Sequence, residues 1–199
     1  MITRKEMTRM LLKEGLLSYL GNNSFESVTV TSLCKASGIT RSTFYLHYSN
    51  IMEIVDDLVD DAIAYSRPGM VDNNNLQIIA KALSAASNSV SLREAYDSIF
   101  DRLPLCQRII RHKKYLPLFL DEQISEYVLQ RIIGREKDRQ GLVIAESLGI
   151  SFDVGVSVFV FLVHGLYAVN KQYKWSQSDE WLEAQKTIFE LVYRGLQRR

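Results

Sequence analysis

Arg41, Ser42, Thr43, Tyr45 and His47 are the side chains whose types and spacing point most directly to chemistry. All form hydrogen bonds, none is acidic, and they crowd into one short stretch. A guanidinium makes paired contacts to guanine. Serine and threonine hydroxyls bond to several base edges, and a threonine methyl can touch a thymine methyl. Tyr45 and His47 project to other faces and suit phosphate oxygens. This is the chemistry of recognising a polyanion rather than of making or breaking bonds.

The surrounding residues, TVTSLCKASGITRSTFYLHY from Thr29 to Tyr48, predict how these side chains are held. Val30, Leu33 and Cys34 lie at helical spacing and form one apolar stripe. Ser37-Gly38 stops that helix, because glycine tolerates the left-handed backbone of a sharp turn. Thr40 is suited to cap a second helix, and Phe44 lies one turn in, where it can pack back on the stripe. Two short helices joined this way form a helix-turn-helix unit, whose second helix enters the major groove by its first turns. Thr29 and Thr31 open the first helix and face the DNA backbone or groove wall. The competing reading is a small helical hairpin with a polar surface.

Catalysis finds little support. The three histidines, His47, His112 and His164, have no second histidine or cysteine at metal-ligand spacing. There is no glycine-rich phosphate loop and no nucleophile elbow. Asp56, Asp57, Asp60 and Asp61 could bridge a metal, but a run of surface carboxylates reads first as a solvated helix face. No metal or cofactor is expected. His164 is either a satisfied core residue or a polar point in a pocket.

Twenty-four cationic residues balance 23 acidic ones, so any attraction to phosphate must be local. It is: Arg4, Lys5, Arg9, Lys13, Lys35 and Arg41 precede Asn50 against Glu6, Glu14 and Glu26, and the acidic run follows. Cys34 and Cys106 are too few and too far apart for a disulfide framework, which suits a reducing cytosol. The N-terminus has no signal-peptide core, and a cytoplasmic location is expected. The apolar run 154–163 is shorter than the roughly 20 residues a membrane span needs, and reads as a buried helix.

Helical periodicity runs through the chain, with no alternating strand pattern. An amphipathic helix is predicted over 3–20, with Thr3 and Glu6 as a capping box and Met7, Met10, Leu11, Leu17 and Leu20 as its stripe, widened by Leu12 and Leu16. Gly21 to Ser24 end it, with Gly21 or Asn23 in the left-handed cap. Asn50 and Glu53 cap a stalk helix that stops at Arg67-Pro68-Gly69. Further helices are predicted over 76–88, 91–102, 104–110, 117–133, 151–173 and 178–198, with the charged stretch 134–141 as an exposed turn. Arg111-His112-Lys113-Lys114 reads as a solvated helix end.

One segment carries a family resemblance. Ser24-Phe25, Thr29-Val30-Thr31, Leu33-Cys34, Ser37-Gly38-Ile39, the block Thr43-Phe44-Tyr45-Leu46-His47-Tyr48 and Asn50-Ile51-Met52-Glu53 follow one another at characteristic spacing. Residues 25–58 thereby resemble the DNA-binding head of TetR-type (TetR/AcrR) transcriptional regulators. The resemblance is good over about the first 65 residues and extends beyond them only in helical layout. Three departures stand out: Ser24 for a glycine, Cys34 for an alanine, and Ile51, with Ser49 before it, where basic residues are common. Losing a phosphate-gripping lysine should flatten the salt dependence of binding by about one unit.

The resemblance implies an all-α chain of about nine helices. A three-helix helix-turn-helix head over 1–49 and a stalk helix over 50–67 lead to an effector-binding and dimerisation domain over 68–199. It adds Tyr48 to the candidate DNA contacts Thr29, Thr31, Arg41, Ser42, Thr43, Tyr45 and His47. It further implies a homodimer formed by the last two helices on a palindromic operator in double-stranded DNA, with Gly155, Gly165 and Gly195 allowing close approach. A small-molecule effector would occupy a pocket for which Tyr96, Phe100, Phe119, Tyr127, Phe161, His164 and Tyr167 are candidates; each also reads as ordinary core. The function implied is a ligand-responsive repressor, with an activator or co-regulator working through protein contacts as the alternative.

Overall fold

The computed structural model describes residues 2–66, 75–85, 91–111 and 113–196. These residues form eleven α-helices and no strand. In order they are α1 (Arg4–Leu20), α2 (Val30–Ser37), α3 (Arg41–Tyr45), α4 (Ile51–Ser66), α5 (Asn75–Ser84), α6 (Leu92–Ser98), α7 (Leu105–Arg111), α8 (Pro117–Leu120), α9 (Ser125–Leu148), α10 (Phe152–Gln172) and α11 (Asp179–Leu196). Short 3-10 turns stand at Phe25–Ser27 and Phe100–Arg102. The chain divides into two compact units, Met1–Ala64 with His112–Gly134, and Tyr65–Arg111 with Arg135–Arg199. The first unit thus takes in residues 112–134 as well as the head and most of the stalk. The loop expected at 68–75 lies outside the described residues, apart from Asn75, which opens α5.

Local signals set the helix starts in the first unit. The Thr3 amide donates to Glu6 Oε2 at 2.8 Å and the Glu6 amide to Thr3 Oγ1 at 3.2 Å, a complete capping box. At α4 the box is shared: Asn50 Oδ1 accepts from the Glu53 amide, and the Glu53 carboxylate accepts from the Ser49 amide instead of Asn50. The C-terminus of α1 departs from expectation. Gly21 is right-handed, with φ −63°, and Asn23 is not left-handed either. The end is closed by the Asn23 amide and its side-chain Nδ2, both donating to Tyr19 O at 3.0 Å.

The buried side of α1 takes the Leu12–Leu16 edge of the predicted stripe and leaves out its Met7–Leu11 edge. Leu12, Leu16, Leu17 and Leu20 are buried while Met7 and Leu11 are exposed. They share the core with Leu33, Cys34, Phe44, Ile54, Val55, Leu58 and Val59. From 112–134 come Tyr115, Leu118, Phe119, Ile124, Val128 and Leu129, also buried. The single helix expected over 117–133 is broken at Asp121, whose Oδ1 accepts from the Gln123 and Ile124 amides at 3.0 and 3.2 Å.

The exposed turn expected over 134–141 is instead the middle of α9. Glutamate, lysine, arginine and glutamine are good helix formers, so the charge of this stretch does not oppose helix. Glu136 and Gln140 are buried, one turn apart. Gly141 then serves close packing within the second unit. A Cβ on Gly155 would lie 2.3 Å from Gly141 O and 3.0 Å from the Ala145 backbone nitrogen, so α9 and α10 touch through glycine. Backbone atoms cannot step aside as a side chain can. Gly155→Ala is therefore expected to cost about 1–3 kcal/mol by overpacking. A chemical-denaturation midpoint equal to wild type would show that no such contact exists.

The rest of the second-unit core is aromatic and polar together. Tyr96 packs edge-on against Trp181, ring centroids 5.2 Å apart, and its hydroxyl donates to Gln107 Oε1 at 2.9 Å. Gln107 Nε2 donates in turn to Gln185 Oε1, and both glutamines are fully buried. Trp181 Nε1 donates to Asn170 Oδ1 at 2.9 Å, and Asn170 Nδ2 to Cys106 O at 3.2 Å. Gln185 Nε2 is buried with no hydrogen-bond partner among the described residues.

Candidate nucleic-acid interface

The pair α2–α3 is built as its residues require. Thr29 caps α2 in a reciprocal box with Ser32, the two amides donating to the opposite hydroxyls at 2.9 and 3.0 Å. Gly38 is left-handed at φ 66°, and the Ile39 amide reaches back to Cys34 O at 3.0 Å. Thr40 caps α3, its Oγ1 accepting from the Thr43 amide at 3.2 Å and pairing with the hydroxyls of Ser42 and Thr43. With only five residues, α3 cannot be stable alone. The buried ring of Phe44 anchors it.

With Phe44 turned inward, Arg41, Ser42 and Tyr45 are exposed, as are Thr29 and Thr31 at the start of α2. Thr43 and His47 are half-buried, and His47 Nδ1 is buried without a hydrogen-bond partner among the described residues. Tyr48 differs from expectation. It is buried, and its hydroxyl donates to Asp57 Oδ2 at 2.6 Å. Burial first, and the bond to Asp57 second, raise its pKa above the ordinary tyrosine value. Its role is to lock the segment after α3 onto α4, not to face a ligand. Leu46 takes the outward place instead, at 80% exposure. The sequence reading passed over it because a leucine reads as core.

The acidic run is also corrected. Its carboxylates are not a freely solvated face. Arg9 Nε donates to Asp57 at 3.1 Å, and the Arg9 guanidinium lies over the Tyr48 ring, 4.8 Å from its centroid. Lys13 pairs with Asp61. Tyr127 Oη and Arg131 donate to the two oxygens of Asp56 at 2.8 and 2.9 Å. Two of the six cations counted for the head, Arg9 and Lys13, are thus partnered internally. Arg4, Lys5, Lys35 and Arg41 are exposed. No cluster of metal-ligating side chains occurs among the described residues.

The candidate effector residues are divided between the two units. Phe119 and Tyr127 belong to the first unit, the other five to the second. Tyr96 and Tyr167 are buried, and Tyr167 packs edge-on against Trp175. Phe161 is 73% exposed and so lines no enclosed pocket. His164 is half-buried, with Nδ1 2.9 Å from Val160 O. The helix expected to be buried, α10, is long and apolar enough to cross a membrane, yet only 22% of its most apolar window is buried. Of the three glycines expected at helix contacts, Gly155 is used within the chain, while a Cβ on Gly165 or Gly195 would meet nothing within 4 Å among the described residues.

Fold and site together define an all-helical chain with a helix-turn-helix whose second helix presents polar side chains. No family model and no curated protein matches it. Among solved structures it is similar to the TetR family repressor AlkX from Dietzia sp. strain DQ12-45-1b, implicated in biodegradation of n-alkanes. That similarity has 14% identity and a TM-score of 0.43, and covers 96% of this chain and 95% of that one.

Proposed function

We propose that this chain is a cytoplasmic transcriptional regulator. As a homodimer it represses from a palindromic operator, reading bases through α3, and a small-molecule effector releases it. The observation that carries this reading is the outward set Arg41, Ser42, Tyr45 and Leu46 on a helix held by buried Phe44. Arg41 reads guanine, Leu46 meets thymine methyls, and Tyr45 with Thr29 and Thr31 holds phosphates. The aromatic candidates Tyr96, Phe100 and Tyr167 suit an effector with an apolar or aromatic body. To release DNA, that effector must bind the two states of the protein unequally.

A second reading, a co-regulator working through protein contacts, is favoured by the small cationic surface. Arg9 and Lys13 are paired, and Ser49 and Ile51 stand where a phosphate grip would help. A footprint on the DNA upstream of its own coding region separates the two. Protection of a palindrome at low salt supports the repressor; no protection there, where phosphate attraction is strongest, rejects direct DNA binding.

Two substitutions sharpen the test. Arg41→Ala should relax base preference, and Tyr45→Phe should weaken binding to all sequences alike. If both changed only overall affinity, the division into base and phosphate readers would be wrong. Ile51→Lys, at a half-exposed site, should tighten binding and steepen the log–log salt slope by about one unit per protomer. An unchanged slope would place residue 51 away from the phosphates.

A further inference from the structure

The reader pair α2–α3 is gripped at both of its chain ends by one short segment. Ahead of it, the Phe25 amide donates to Asp121 Oδ2 at 2.6 Å, and Gln123 Nε2 donates to Glu26 Oε2 at 3.0 Å. Behind it, Tyr127 and Arg131 hold Asp56 on α4. Asp121 does two jobs with one carboxylate. Its Oδ1 closes the turn ahead of α9, accepting from the Gln123 and Ile124 amides, while its Oδ2 holds a backbone amide far away in sequence.

We propose that residues 121–131 form a two-point clasp that sets the aim of the reader helix, with Asp121 as its positioning residue. The two grips bracket α2 and α3, so a shift of the first turns of α9 reaches both ends of the pair at once. The pair then moves as a body, because Phe44, Leu33 and Cys34 hold it together internally. A charge-assisted bond to a backbone amide is among the stronger hydrogen bonds, which suits a fixed grip. Asp121 needs no contact with DNA to govern affinity. This proposal rests on the reading of α3 as the DNA reader.

The informative variant is Asp121→Asn in the full chain. Its amide oxygen still caps Gln123 and Ile124, but its NH2 group now opposes the Phe25 N–H, donor against donor. Amide exchange, followed by NMR without DNA, should quicken at Phe25 by about tenfold or more while Gln123 and Ile124 stay near wild type. Affinity for a duplex that the wild type selects from a random pool should fall about tenfold, the equivalent of losing one strong hydrogen bond. The wild-type chemical shifts of Leu33 and Phe44 should persist, separating a mis-aimed head from an unfolded one. Tyr127→Phe combined with Arg131→Gln should weaken binding to the same duplex through the second grip.

Unchanged exchange at Phe25 would show that the grip is absent in solution. Faster exchange with undiminished affinity would show that the grip does not aim the reader. If the wild type selects no duplex at all, the positioning role fails together with the DNA reading. The exchange measurement then still reports the bond itself.

Discussion

Phe44→Ala is expected to cost about 3–5 kcal/mol of first-unit stability and to abolish the proposed DNA binding. The size follows from comparing what holds α3. The helix has five residues and no intrinsic stability in water. Its cap, Thr40 to the Thr43 amide, contributes about 1 kcal/mol. The Phe44 ring is fully buried and meets Tyr45 edge-on at 5.2 Å and Tyr48 at 6.3 Å between ring centroids. The ring therefore outweighs the cap severalfold, and Thr40→Ala should be the milder change. Without the ring, Arg41, Ser42 and Tyr45 keep their chemistry but lose their common face. Urea unfolding followed at first-unit NMR signals measures the loss. If Phe44→Ala unfolded within about 1 kcal/mol of wild type, the ring would not be the anchor that its burial implies.

What the sequence made legible was mostly local. Thr3 with Glu6, Thr29, Thr40 and Gly38 act within four residues of where they stand, so their roles could be read directly. What stayed hidden depends on partners distant in sequence. Asp56, Asp57 and Asp61 look like a solvated run because Arg9, Lys13 and Arg131 lie far from them along the chain. The α9 stretch through Glu136 and Gln140 looks like a turn because its charge and glycines say nothing of α10, whose Gly155 and Val156 pack on Gly141. Tyr48 is a different case. It follows Phe44 by four positions, and its amide bonds to Phe44 O at 3.0 Å, so both rings share one side. That spacing was readable, but the motif drew attention to the residue type and away from the face. Leu46 was missed for the converse reason. The aromatic residues named for an effector carry no such local signal, because an aromatic side chain reads the same in a core, a pocket lining or an outer face.

Phe161→Lys is expected to split the proposed homodimer. Phe161 is 73% exposed on α10, and Leu191 is 72% exposed on α11; Val154, two turns before Phe161, is also exposed. Gly165 and Ala168 continue the same outward side at helical spacing, and nothing lies within 4 Å of a Cβ placed on Gly165. A helix this apolar with so little of it buried is costly in water, and a second copy could cover it. In a two-fold dimer each substitution counts twice. Losing about 2–3 kcal/mol of burial per protomer gives about 4–6 kcal/mol per dimer, or roughly a thousand- to twenty-thousandfold rise in the dissociation constant. Sedimentation equilibrium should show wild type at twice the mass of one chain and Phe161→Lys shifted to one. Palindrome binding should then weaken because two heads no longer arrive together, while each head stays folded by NMR. A Phe161→Lys protein that remained dimeric would move the dimer contact elsewhere on the chain. A wild type that was monomeric at every concentration would remove the two-fold reading of the operator with it, since one head has no partner to set half-site spacing.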